Sequence, residues 1–124
     1  MEKAKFIGIA PQIVVDDVVK TAEYYRDVLG FSGINYFGDP PVYAMVSRDG
    51  FEVHFGKSDG GSVNTNESIR KGTPDFVIWV PEIDEYFDEL KQNDADIIQE
   101  IARRSYGREF IVRDCDGHRM MIVD

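Results

Sequence analysis

Two histidines, one cysteine and a scatter of carboxylates give this 124-residue chain its chemical reach. In "FEVHF", His54 follows Glu52 by two positions, which on a strand puts both side chains on one face. An imidazole beside a carboxylate suits proton transfer or ligand contact, although a histidine held by ordinary hydrogen bonds is the plainer alternative. Acid–base chemistry without a metal would fall to these two residues. The other histidine, His118, and the lone Cys115 lie in the C-terminal "DCDGHRMMIVD", a tight turn running into a strand. One cysteine forms no internal bridge and there is no C-x-x-C pair, so Cys115 reads as a turn residue. No spacing favours a serine–histidine–acid triad, and no glycine-rich phosphate loop occurs.

The elements that must position these residues belong to one domain, 1–124, long enough to bury a core without disulfides. A hydrophobic share of 43% with 30% charged residues is that of a globular protein. No apolar run reaches the roughly 20 residues of a membrane span. The N-terminal lysines meet Pro11 and Asp16-Asp17 before a signal-peptide core can form, which predicts a cytoplasmic protein. A net charge of −9, from 23 acids against 14 bases, argues against nucleic acid as partner and suits cationic small molecules.

Residues 6–15, "FIGIAPQIVV", predict a strand that ends at the helix-capping pair Asp16-Asp17. Val18, Ala22, Tyr25 and Leu29 then recur at helical spacing, and Gly30 fits the helix stop. "SGINYF", "VYAMVS" and "FEVHF" follow as short strands separated by turn residues. Residues 57–73 are polar, glycine-containing and without periodicity, and read as a linker. "DFVIWV" is the next strand, and "PEIDEYFDELKQN" a helix presenting Ile83, Tyr86, Phe87 and Leu90 on one face. Its acids Glu82, Asp84, Glu85, Asp88 and Glu89 read as a solvated face. "ADIIQEI", "REFIVRD" and "HRMMIVD" complete the pattern.

The second half repeats the first. An offset of 65 residues matches Val15 with Val80 and Val18 with Ile83, and an offset of 67 matches Asp49-Gly50 with Asp116-Gly117 and His54 with Met121. The predicted fold class is therefore α+β, two tandem β-α-β-β-β modules forming a curled mixed sheet, with module one at 5–56, linker 57–73 and module two at 74–124.

Three stretches, "PQIVVDDVVKTAEYYRDVLGF", "FVIWVPEIDEYFDELKQNDADI" and "YGREFIVRDCDGHRMMIVD", resemble the glyoxalase/bleomycin-resistance/extradiol-dioxygenase (vicinal oxygen chelate) superfamily. Cys115 stands where that pattern usually has proline. The resemblance implies a cup lined by alternate strand residues, with metal-ligand positions on Ala10, His54, Asp75 and Met121. Ala10 offers no donor and Met121 only a thioether, leaving His54 and Asp75 as a weak metal pair; Asp75 alternatively braces the start of its strand. "APQIVVD" and "YGREF" look most like the bleomycin-resistance branch, whose members bind a drug without a catalytic metal, as dimers with clefts at the interface.

Alternation then sends Gln12, Val14, Glu52, His54, Val77, Trp79, Arg119 and Met121 into the cup. Ile13, Val15, Val53, Phe55, Phe76, Ile78 and Ile122 go under the helices, and His118 points away from the cup. Trp79 either stacks on a ligand or packs in the core, Met121 is an adaptable wall, and Glu52 and Arg119 pair with each other or with a ligand's charges. Tyr36, Phe37, Tyr43, Tyr106 and Phe110 are expected cleft lining, with core or dimer contact as the alternative for each. The expected ligand set is Gln12, Tyr43, Glu52, His54, Trp79, Tyr106, Phe110, Arg119 and Met121.

The expected function is metal-free binding of an organic small molecule, such as a cationic drug in antibiotic resistance, in a homodimer's interface cleft. No cofactor is expected on that reading. The alternative is a lyase, isomerase or dioxygenase of the same fold with a reduced divalent-metal site, and a third possibility is a structural or regulatory partner without a ligand.

Overall fold

A computed structural model describes residues 2–124. Strand β1 (Gln12–Val15), helix α1 (Val18–Asp27) and strands β2 (Ser32–Phe37), β3 (Tyr43–Arg48) and β4 (Phe51–Lys57) form the first half. A short helix α2 (Asn66–Ile69) precedes β5 (Phe76–Trp79), α3 (Ile83–Gln92), β6 (Asp96–Arg104), β7 (Gly107–Arg113) and β8 (Arg119–Val123). The halves build two four-stranded sheets of the same topology, β1-β4-β3-β2 and β5-β8-β7-β6, each with one parallel pair at the end. The fold is α+β, as the sequence predicts.

The internal repeat extends to hydrogen-bond register. Gln12 lies opposite His54 in the first parallel pair, and Val77 lies opposite Met121 in the second, so both offsets place equivalent residues in equivalent rungs. Residues 13, 15, 53 and 55 of the first sheet and Ile122 of the second are buried under the helices. Each helix turns its periodic apolar stripe to the same core: Val18, Ala22 and Tyr25 from α1, Ile83, Tyr86 and Leu90 from α3. Of the two candidate caps, Asp17 accepts from Val19 N and Lys20 N at 3.1 Å, a contribution of about 1 kcal/mol.

Two expectations require correction. The strand predicted over 6–15 begins only at Gln12; residues 2–10 make no backbone hydrogen bond to the described residues, and Phe6, Ile7 and Ile9 stand almost fully in solvent. β-branched composition favours a strand, but a strand needs a neighbouring backbone in register, and this arm has none among the described residues. The polar segment 57–73 is also not without structure. Thr65 and Ser68 form a reciprocal capping box that starts α2. Among the described residues no helix is long and apolar enough to cross a membrane.

The sheets meet through their helices. Tyr25 of α1 donates its hydroxyl proton to Asp114 at 2.7 Å, and Thr21 donates to Asp116, both in the turn before β8. Reciprocally, Tyr86 of α3 donates to the carbonyl of Leu29 at 2.9 Å, and Asn93 to that of Val28 at 3.1 Å. Arg48 grips Glu89 with two nitrogens, at 2.8 and 3.0 Å, and lies over the Tyr86 ring.

Candidate ligand-binding site

On the open face of the first sheet, β3 and β4 bring Tyr43, Glu52 and His54 into a relay. The Tyr43 hydroxyl lies 2.6 Å from His54 Nδ1, and His54 Nε2 lies 2.9 Å from a Glu52 oxygen. Tyrosine donates and carboxylate accepts, so the neutral imidazole carries its proton on Nε2. Gln12 flanks His54 on β1 and Met45 flanks it on β3. Val14 and Phe37 are exposed at the same face, with Phe37 set edge-on to Tyr43.

The second sheet holds a concavity of about 560 Å³, and the linker forms one of its walls. Glu67, Lys71, Gly72 and Pro74 stand on the linker side; Gln99, Glu109, Ile111 and Met121 form the floor, and Arg104, Tyr106 and Arg119 the rim. A volume of this order is that of a small-molecule pocket. Asp75 holds the wall in place: one carboxylate oxygen accepts from Asn66 N and the other from Arg119 N, both at 2.9 Å. Asp75 thus braces its strand, and both of its oxygens are engaged.

Glu109 is the buried charge of this cup. Gln99 donates to one of its oxygens at 3.1 Å, and Tyr106 and Arg104 donate to the other. Burial pushes its carboxyl up, but these three donors outweigh that effect and leave it below the ordinary glutamate range. The same bond raises the Tyr106 hydroxyl. Arg119 does not pair with Glu52, which is occupied by His54; its guanidinium lies 3.5 Å from Glu67.

Among the expected ligand contacts, Tyr106, Arg119 and Met121 come together in the second cup, and Gln12, Tyr43, Glu52 and His54 on the first sheet. Trp79 shares the register parity of Val77 and is 70% exposed. Phe110 is a correction. It pairs with Ile122 on the helix side of β7, is fully buried, and packs against Tyr86 and Phe87 of α3, so it belongs to the core. Tyr36 likewise pairs with buried Ala44 and faces away from the open side. Glu67, Lys71, Gln99, Arg104 and Glu109 were not expected here. Register against Met121 marks Glu109, whereas the polar linker gives no periodic signal for Glu67 or Lys71.

Among the described residues one group of metal-type donors clusters: Asp114, Asp116 and His118, with atoms within 4.8 Å of one another. It lies at the junction with α1, away from both cups. Asp114 spends its oxygens on the backbone N–H groups of Asp116 and His118 and on Tyr25. Burial raises the Asp114 carboxyl, with those bonds opposing it. Burial and the two neighbouring aspartates push the Cys115 thiol up to about 12, which keeps it protonated and inert at neutral pH. His118 is buried beside Asp114, and its Nδ1 has no hydrogen-bond partner among the described residues.

No curated protein sequence matches the chain significantly. Solved structures do. The bleomycin-binding protein from bleomycin-producing Streptomyces verticillus, in complex with copper(II)-bleomycin, is similar over 98% of this chain and 98% of its own, with TM-score 0.75 and 21% identity. A glyoxalase-related enzyme from Clostridium phytofermentans aligns over 98% of this chain and 97% of its own, with TM-score 0.76 and 18% identity. TioX from Micromonospora sp. ML1 aligns over 93% of this chain and 95% of its own, with TM-score 0.73 and 22% identity. At such identities the likeness establishes the fold and leaves activity to the site. The model of the Glyoxalase/Bleomycin resistance protein/Dioxygenase superfamily matches residues 8–122, and to that superfamily the chain belongs.

Proposed function

We propose that the chain is a metal-free binding protein that holds an organic small molecule in its cup, and that a second copy completes the cleft. The carrying observation is that the four family ligand positions offer no free set of hard donors for a metal, while the second sheet holds a molecule-sized cavity that includes Met121. Ala10 has no donor, both His54 nitrogens are engaged, both Asp75 oxygens are engaged, and Met121 offers a thioether. Lewis-acid chemistry needs several free hard donors around the ion. The residues present do not fit that requirement.

A second copy accounts for the surface that this fold leaves open. Phe6, Ile7 and Ile9 of the N-terminal arm, together with Val14, Phe37 and Trp79, leave large apolar side chains in water. Pairing of two copies would cover them and turn open half-cups into closed clefts. Sequestration of a drug-like molecule in the cytoplasm is the corresponding biological role. The bleomycin-binding neighbour supports this by analogy of fold.

Metal analysis of the purified protein, followed by titration with nickel, zinc, manganese and iron(II), tests the reading. Stoichiometric binding that His54→Ala abolishes would overturn it in favour of a metal-dependent lyase, isomerase or dioxygenase. Fluorescence of Trp79, the single tryptophan, then reports ligands from a panel of bleomycin-like and other organic compounds. Light scattering on the eluting protein gives the copy number.

A further inference from the structure

We propose that the cup of the second module selects molecules carrying an acidic group on an apolar or aromatic body, with Arg119 as the anion-holding residue and Glu67 as a built-in competitor. This rests on the binding reading above and names the class of ligand. Although the whole chain is strongly acidic, the cup has its own balance: Lys71, Arg104 and Arg119 against Glu67 and Glu109.

The three cations are not equivalent. Arg104 donates to both Glu109 and Gln99, so its charge and that of Glu109 are spent on each other. Lys71 forms no ion pair among the described residues and sits exposed on the linker wall, where it adds positive potential at long range. The side chain of Arg119 is only 26% exposed, yet its guanidinium makes no hydrogen bond among the described residues. Its ion-pair partner is Glu67, with Oε2 at 3.5 Å, and that oxygen already accepts from Gly72 N.

A partly buried guanidinium whose five N–H donors meet one carboxylate oxygen, at 3.5 Å, is a receptor for a planar or tetrahedral anion. A carboxylate or sulfonate entering the cavity would take two of those donors at once, a geometry that Glu67, tethered to its own loop, does not reach. Ile98, Ile111 and Met121 beside this fork supply an apolar bed for the rest of the molecule. Anion at Arg119 and apolar body over Met121 fix the ligand's orientation.

The test uses two dyes with the same ring frame, 1-anilinonaphthalene-8-sulfonate and uncharged N-phenyl-1-naphthylamine, titrated into the full chain at low salt. The expected result is sulfonate binding about tenfold or more tighter than the neutral dye, the ordinary margin of one charge-assisted pair. Arg119→Gln should bring the two to within about twofold by weakening the sulfonate, and Glu67→Gln should tighten the sulfonate relative to the neutral dye. Partial unfolding would raise uptake of both dyes, whereas this gain is confined to the sulfonate, and cooperative thermal unfolding of each variant checks the fold. Equal affinity of the two dyes, or a sulfonate affinity indifferent to Arg119→Gln, overturns this inference and leaves the binding reading intact. Failure of both dyes to bind the folded protein overturns the binding reading and this inference with it.

Discussion

Tyr25 and Asp114 tie helix α1 of the first module to the last turn of the second through a 2.7 Å hydrogen bond buried from solvent. Tyr25→Phe deletes the donor and leaves a buried carboxylate short of a partner, a loss of about 1–3 kcal/mol by denaturant unfolding. Burial holds the Asp114 carboxyl above its ordinary value, and losing the Tyr25 bond raises it further. A carboxyl higher in the folded than in the unfolded chain costs stability at neutral pH, and that cost fades as pH falls through the folded value. The deficit of Tyr25→Phe therefore shrinks as the pH is lowered from neutral into the acid range.

Glu109 has the opposite sign. Its folded value lies below the ordinary 4.5, so its contribution is complete above that pH and is lost as pH falls through the lower folded value. Glu109→Gln should cost about 1–3 kcal/mol at pH 7 and much less at pH 3, measured as the unfolding midpoint at each pH.

His54 is expected in one tautomer. In protein labelled with nitrogen-15, the neutral ring should show a protonated Nε2 facing Glu52 and a bare Nδ1 facing Tyr43. Glu52→Ala removes the acceptor at Nε2 and leaves Tyr43, whose hydroxyl can donate to or accept from Nδ1, so a mixture of tautomers should appear by NMR, with the unfolding midpoint changing little at this half-open site.

Phe110 and Met121 separate core from cup. Phe110→Ala, deep between β7 and α3, should cost about 3–5 kcal/mol of stability. Met121→Ala, on the cup floor, should cost less than about 2 kcal/mol and instead change the affinity of any ligand that quenches Trp79.

Asp94, just past the end of α3, adopts φ 58°, a left-handed conformation that disfavours a side chain. Asp94→Gly should raise stability by about 0.5–1 kcal/mol in the same unfolding assay.

The core was legible because it is written in alternation: Ile13 and Val15, Val53 and Phe55, and Ile122 each sit between outward residues, and all lie under a helix. The arm "FIGIA" was misread because residue types report a taste for extended backbone, whereas a strand also needs a partner edge, which no single stretch encodes. Phe110 was misplaced because its face is set by pairing with Ile122, a relation between strands rather than within one. The relay of Tyr43 with His54 joins β3 to β4 and becomes visible only once Met45 is known to lie opposite His54. Glu67 and Lys71 reach the cup through the path of the linker, which hydrophobic patterning does not mark.

The reciprocal grip of the helices bears on how such a chain changes over time. Each half now fastens its helix into the other by contacts of a different kind, Tyr25 and Thr21 into an aspartate turn on one side, Tyr86 and Asn93 onto bare carbonyls on the other. Two tandem copies free to drift would stay interchangeable, like bricks. These have become lock and key to one another, so a chain assembled from two first halves would present a tyrosine where no aspartate waits. The pseudo-symmetry survives in the backbone and has been given up in the chemistry, and the cups differ as well: one carries the Tyr43–His54–Glu52 hydrogen-bond chain and the other the pocket.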